Sequence, residues 1–184
     1  MKTFVYPEMM VHVSMCTHKD PKAVLIASDE SDLLNAELAR YRESTVTNVG
    51  SDDLLEAFRN LDENSADVVM VDALTSDGAV IAHISRILKD DGLVVMKHPS
   101  LDDVSANTPL MESLGNYFKI VMPYRLEDGS TLLLSSKEYH PTADVILQRT
   151  DLLEGHQYYN CDVHPAAFAM PQYIRENYRG LARN

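Results

Sequence analysis

Short runs that are apolar from end to end, each followed by a stretch of helical periodicity, constrain this chain more than any other feature. "AVLIAS" (23–28), "DVVMVD" (67–72) and "GLVVMKHP" (92–99) show no polar alternation. A strand with one wet face alternates, whereas one covered on both faces does not, and two-sided cover belongs to parallel sheets with crossover helices. The helical stretches follow in turn. "SDLLNAELARYRES" places Leu33, Leu34, Leu38 and Tyr41 on one face, and "SDDLLEAFRNL" opens with Ser51 or Asp52 as N-cap. "GAVIAHISRILKDDG" carries Val80, Ile84, Ile87 and Leu88 at helical spacing and is predicted to stop at Gly92. "STVTNV" reads as a strand, and residues 105–116 as a further helix.

The rhythm changes after residue 116. "YFKIVMPY" and "STLLLSSKEY" are strand-like runs joined by "RLEDG", whose Asp128-Gly129 pair is a hairpin turn signal. Strand–helix units that end in a hairpin predict a mainly parallel sheet with an antiparallel edge, the pattern of the class I methyltransferase-like Rossmann fold. The segment 150–184 is aromatic-rich and broken by Pro165 and Pro171, and is expected to wrap over the body.

The chain has 184 residues, 45% hydrophobic and 24% charged, which suits a single domain with one sizeable core. Its net charge of -12 repels phosphate backbones and anionic membranes, which argues against nucleic-acid and membrane partners. Acidity suits cationic partners such as polyamines without singling them out. Cys16 and Cys161 form no C-x-x-C pattern, so neither a disulfide framework nor a thiolate metal site is indicated. The N-terminal apolar stretch is interrupted by Pro7, Glu8 and His12, unlike a signal peptide, and no later run is long enough to span a bilayer. A cytoplasmic location is expected. The seven histidines show no ligand spacing, and no metal is predicted.

Three segments resemble the spermidine synthases, aminopropyltransferases on a methyltransferase-like fold. "FVYPEMMVHVSMCTHKDPKAVLI" is similar to the family's opening "F-x-Y-H/Q-E-M-x-x-H-x-P", "DDGLVVMK" to its "x-D-G-x" strand start, and "YYNCDVHPAAFAMPQYI" to its closing "Y-Y-x-x-x-x-H-x-A-A-F-x-L-P". The resemblance covers nearly the whole chain, with residues 1–20 as the remnant of the opening segment. Family members usually begin with a β-stranded domain, of which at most one or two short strands fit before Tyr6 here. Residues 44–66 hold one strand–helix unit where the family has two. Either the strand at 45–49 replaces the second strand, with Gly50 where the family's ribose-binding acid sits, or it is the third. The likeness of "VGSDDLLEAF" to the family's "V-G-D-G-x-x-F" favours the third.

The resemblance also implies site residues. The family's "G-G-G-D-G-G" turn, which lets backbone amides approach a nucleoside, falls on Ser28 to Leu33, and its Asp falls on Ser31. Asp29 or Asp32 recovers a carboxylate by a shift of one or two residues, and Asp52 lies on the same cofactor side. Read from the residues alone, Ser31 is a helix N-cap. The family's "D-S-S-D-P" supplies the base that frees putrescine's amine, since an ammonium has no lone pair to attack with. Its first Asp matches Asp72, the second falls on Thr75, and Asp77 is the nearest substitute. Tyr6 matches a substrate-side tyrosine. Tyr124 lies one place from a later one, whose own position is Arg125, a residue of like charge to a diamine. The implied reaction moves an aminopropyl group from decarboxylated S-adenosylmethionine to putrescine, with a homodimer as the expected assembly. A non-catalytic homologue acting as a binding partner, and a methyltransferase using S-adenosylmethionine, are the alternatives. The replaced turn and the threonine at the base position point to impaired or lost activity.

Overall fold

The structure, a computed structural model, describes residues 2–184. Its centre is a six-stranded sheet in the order β2-β1-β3-β4-β6-β5. Strands β1 (Ala23–Ala27), β2 (Thr45–Val49), β3 (Ala66–Val71) and β4 (Leu88–His98) run parallel. Strands β5 (Ile120–Arg125) and β6 (Thr131–Ser136) form the hairpin, and β6 pairs antiparallel with β4.

Helices cover both faces, which is why the central strands lack polar alternation. Val24, Ile26, Val68, Met70, Leu93 and Val95 project to one side, under α1 (Val5–Thr17) and α2 (Asp32–Leu38). Their sequence neighbours Leu25, Ala27, Val69, Val71, Val94 and Met96 project to the other. There they meet α3 (Leu54–Arg59), α4 (Gly78–Ile87) and α5 (Val104–Gly115). Each fully buried Ile or Leu in these layers contributes about 1.5–3 kcal/mol by leaving water. The short helices α6 (Leu147–Leu152), α7 (Val163–Ala167) and α8 (Gln172–Asn177) follow the hairpin. Residues from this last part enter both cores: Tyr159 and Phe168 join the α1 side, Ile174 and Tyr178 the other. Arg183 exchanges two backbone hydrogen bonds of 2.9 Å with Val121, covering part of the otherwise open β5 edge.

Several local expectations are corrected. The stretch broken by Pro7, Glu8 and His12 is the buried helix α1, preceded by a turn at residues 2–4. Proline is tolerated in a first turn, where its missing N–H has no helical partner. α4 ends at Ile87 and not at Gly92, because Leu88 is already extended and pairs with Ala66. The Lys137 ammonium caps that end, donating to the Ser85 and Leu88 carbonyls at 2.8 Å each. α2 stops at Leu38, although Tyr41 still packs on the core. The N-cap of α3 is Asp53, which accepts from the Glu56 N–H at 3.0 Å, so neither Ser51 nor Asp52 caps it. The strand at 45–49 lies directly against β1 with Gly50 at its carboxyl end, the place that either assignment gives it.

Candidate functional site

In an open α/β sheet, ligands bind outside the carboxyl ends of the strands where the strand order reverses. Here that point lies between β1 and β3. The register pairs Ala27 with Val71 and Val71 with Met96. One residue further on, Ser28, Asp72 and Lys97 form a row across three strands on the α1 side of the sheet. The first turn of α1 brings Tyr6 over this row. The Tyr6 hydroxyl donates to Asp72 Oδ1 at 2.6 Å, and Lys97 Nζ lies 2.7 Å from the same oxygen. The Ser28 hydroxyl donates to Asp72 Oδ2 at 2.9 Å. Lys97 Nζ also stands 5.6 Å from the centroid of the Tyr6 ring.

Burial, and then the hydrogen bond to Asp72, push the Tyr6 hydroxyl far above its ordinary value, so it remains a donor at any physiological pH. Asp72 Oδ1 therefore holds one neutral donor and one ammonium, which occupy the two lone pairs of a carboxylate oxygen. In this arrangement the carboxylate orients a cation. Three of its four lone pairs are taken, which leaves one on Oδ2 to accept a proton from an incoming amine.

The other implied site residues are dispersed. Asp77 is the N-cap of α4, accepting from the Ala79 N–H at 2.8 Å, and among the described residues no hydrogen bond or ion pair joins it to Asp72. Tyr124 is fully buried, and its hydroxyl is spent on the Met9 carbonyl at 3.0 Å. Ser31 stands at the N-cap of α2 without a capping side-chain bond, correcting that expectation; its hydroxyl accepts from the Asn35 side chain at 3.1 Å. Asp32 opens α2 and Asp52 lies in the turn before α3, both exposed. Asp29 reaches across the sheet end, accepting from Ser51 N–H at 2.8 Å and from the Ser51 hydroxyl at 2.7 Å. These bonds, the backbone one first, hold the exposed Asp29 carboxyl below its usual range. A Cβ placed on Gly50 would come within 3.3 Å of Asp29 Oδ1. The Asp29 carboxylate thus spans the space between the ends of β1 and β2.

Sequence reasoning singled out Asp72 and Tyr6 and passed over Ser28 and Lys97 as site residues. A signal was present. Ser28, Asp72 and Lys97 are each the first polar residue after an apolar parallel run, and in a parallel sheet such positions line up.

Two other places have features of a site. A cavity of about 720 Å³ lies at the β5 edge, between Met122, Phe168, Met170 and Arg179, remote from the row. At the opposite end of the sheet His18, Asp67 and Asp91 bring ligand atoms within 4.8 Å of one another. There Lys89 already pairs with Asp67 Oδ1 at 2.8 Å, and His18 Nδ1 accepts from the Asp20 N–H, which leaves the ring proton on Nε2. A histidine that binds metal through Nε2 normally donates from Nδ1, so this cluster reads as an ionic one.

The topology, with polar side chains gathered outside the carboxyl ends at the strand reversal, defines a class I methyltransferase-like Rossmann protein. Solved structures agree on the fold. Spermidine synthase from Thermotoga maritima superposes with a TM-score of 0.78 at 21% identity, covering 97% of this chain and 75% of that one. An N-methyltransferase of Haemonchus contortus, solved with S-adenosylhomocysteine, gives 0.52 at 14% identity, over 83% and 40%. No family model matches the chain. Among curated relatives, the polyamine aminopropyltransferase of Helicobacter acinonychis is 30% identical over 198 aligned positions, 92% of this chain and 74% of that protein. That of Clostridium beijerinckii is 27% identical over 97% and 79%. The chain belongs to the polyamine aminopropyltransferase family.

Proposed function

We propose that this chain is a spermidine-synthase-like protein in which transfer of an aminopropyl group from decarboxylated S-adenosylmethionine to putrescine is impaired or lost. The observation that carries this reading is the Asp29–Ser51 bridge. A nucleoside held at a strand reversal lies along the turn after β1 and presents its ribose to the end of β2. Here the turn has no glycine, and a side chain bonded at 2.8 and 2.7 Å occupies the gap between those strand ends. On the base side, the protein's own groups take three of the four lone pairs of Asp72.

A second reading, retained catalysis, draws on the Tyr6–Asp72 contact, which keeps a carboxylate and an aromatic hydroxyl together at the sheet end where the chemistry would occur. In the remaining alternative the fold serves as a non-catalytic partner.

Calorimetric titration with decarboxylated S-adenosylmethionine and with methylthioadenosine, followed by an assay of methylthioadenosine release in the presence of putrescine, separates these readings. With the Thermotoga maritima enzyme run in parallel, release is expected to be lower by two to four orders of magnitude, roughly what a general base contributes. Turnover within tenfold of that enzyme, abolished by Asp72→Ala, overturns the proposal in favour of retained catalysis.

A further inference from the structure

The Lys97 ammonium has the surroundings of a bound ligand. Asp72 Oδ1 lies 2.7 Å away, and the Tyr6 ring centroid 5.6 Å away. A carboxylate on one side and an aromatic ring on the other is how proteins hold organic cations. The Ser28 hydroxyl, 2.9 Å from Asp72 Oδ2, and the Tyr6 hydroxyl, 2.6 Å from Oδ1, fix the carboxylate independently of the lysine. Lysine presents a primary ammonium on a flexible four-carbon stem, the same chemistry as an alkylamine. With 41% of its side chain exposed, Lys97 has room to swing out into solvent, whereas Asp72, at 15%, does not move with it.

We infer that Lys97 is a tethered occupant of a primary-alkylammonium subsite built by Asp72, Tyr6 and Ser28, and that a free amine enters this subsite only by displacing it. The inference rests on the reading of this sheet end as an amine-handling site, but it requires no turnover and no nucleoside. A tethered group competes at an effective concentration on the order of millimolar. The lysine therefore sets a threshold below which free amines are excluded, and its displacement would release Asp72 Oδ1 to the incoming nitrogen.

The test is a titration of the full chain with n-butylamine hydrochloride at constant ionic strength, followed by amide NMR, with n-butanol as the uncharged control. Lys97→Met keeps the stem and removes the charge. Its affinity for butylamine is expected to rise on the order of tenfold to a hundredfold over the parent, the range of one charge-assisted hydrogen bond. The gain should vanish in Lys97→Met/Asp72→Asn. Equal affinity in parent and Lys97→Met overturns the inference, as does saturable binding that survives loss of Asp72, which would mark general attraction to an acidic surface. If thermal unfolding shows that Lys97→Met does not fold, Lys97→Gln is read by the same titration. A chain that releases no methylthioadenosine yet gains amine affinity in Lys97→Met loses the transfer activity and keeps the subsite. Turnover without that gain does the reverse.

Discussion

Glu8 is a buried carboxylate, 1% exposed, in the first turn of α1. It accepts from three consecutive backbone amides of the chain's last part: Gln157 N–H at 2.9 Å on Oε1, and Tyr158 and Tyr159 N–H at 2.8 Å each on Oε2. Glu8→Gln keeps the shape but turns one oxygen into an NH₂ group. In either orientation that group faces at least one N–H, so a donor meets a donor. A net hydrogen bond to a charged acceptor is worth about 1.5–3 kcal/mol, and a buried donor left without a partner costs about 1–3 kcal/mol. Because three donors share one anion, the contributions do not add in full. The expected loss is about 2–4 kcal/mol. Urea unfolding measures it, and hydrogen exchange at residues 157–159 locates it: those amides should lose protection while those of β3 keep theirs. A loss under about 1 kcal/mol, the scale of an ordinary surface change, with residues 157–159 still protected would refute the claim that Glu8 anchors the C-terminal wrap.

Two further outcomes are expected. Burial lowers His98, His156 and His164 to about 4. The unfolded chain therefore binds protons that the folded chain refuses, and stability should fall as the pH drops from about 6.5 to about 4, before most carboxylates titrate; a midpoint temperature flat across that window would contradict this. Gly92→Ala would bring a Cβ within 2.9 Å of Leu88 Cδ2 and 3.1 Å of the Lys89 carbonyl, so a destabilisation of about 1–3 kcal/mol is expected in urea unfolding.

The layered sheet was legible because Val68 to Val71 and Leu93 to Met96 are buried on both faces, and such strands declare themselves by composition alone. α1 was not legible. Its interior holds Glu8 and His12, whose polarity makes sense only with partners far along the chain: the amides of 157–159 for one, Tyr41 at 2.7 Å and Glu37 at 2.9 Å for the other. Periodicity cannot report a partner 150 residues away. The same limit governs the site. Asp72 could be picked out by its place at a strand end, but its engagement by Lys97 and Ser28 follows from the register of three strands, and register is set by packing. Tyr124 and Asp77 stand apart from the row for a simpler reason. One projects into the core from a strand and bonds the Met9 carbonyl, the other caps a helix, and a family resemblance does not separate such structural duties from binding.

The bond between Glu8 and residues 157–159 also bears on synthesis. On the ribosome α1 emerges with a carboxylate in its first turn, and the amides that satisfy that carboxylate follow about 150 residues later. At about 5–20 residues per second, that is a wait of roughly 8–30 seconds. During that interval the sheet can assemble from β1 to β6 and α1 can pack on it, but the Glu8 carboxylate then sits in the core without its partners. The nascent chain is therefore expected to depend on chaperone shelter until residues 157–159 have left the ribosome.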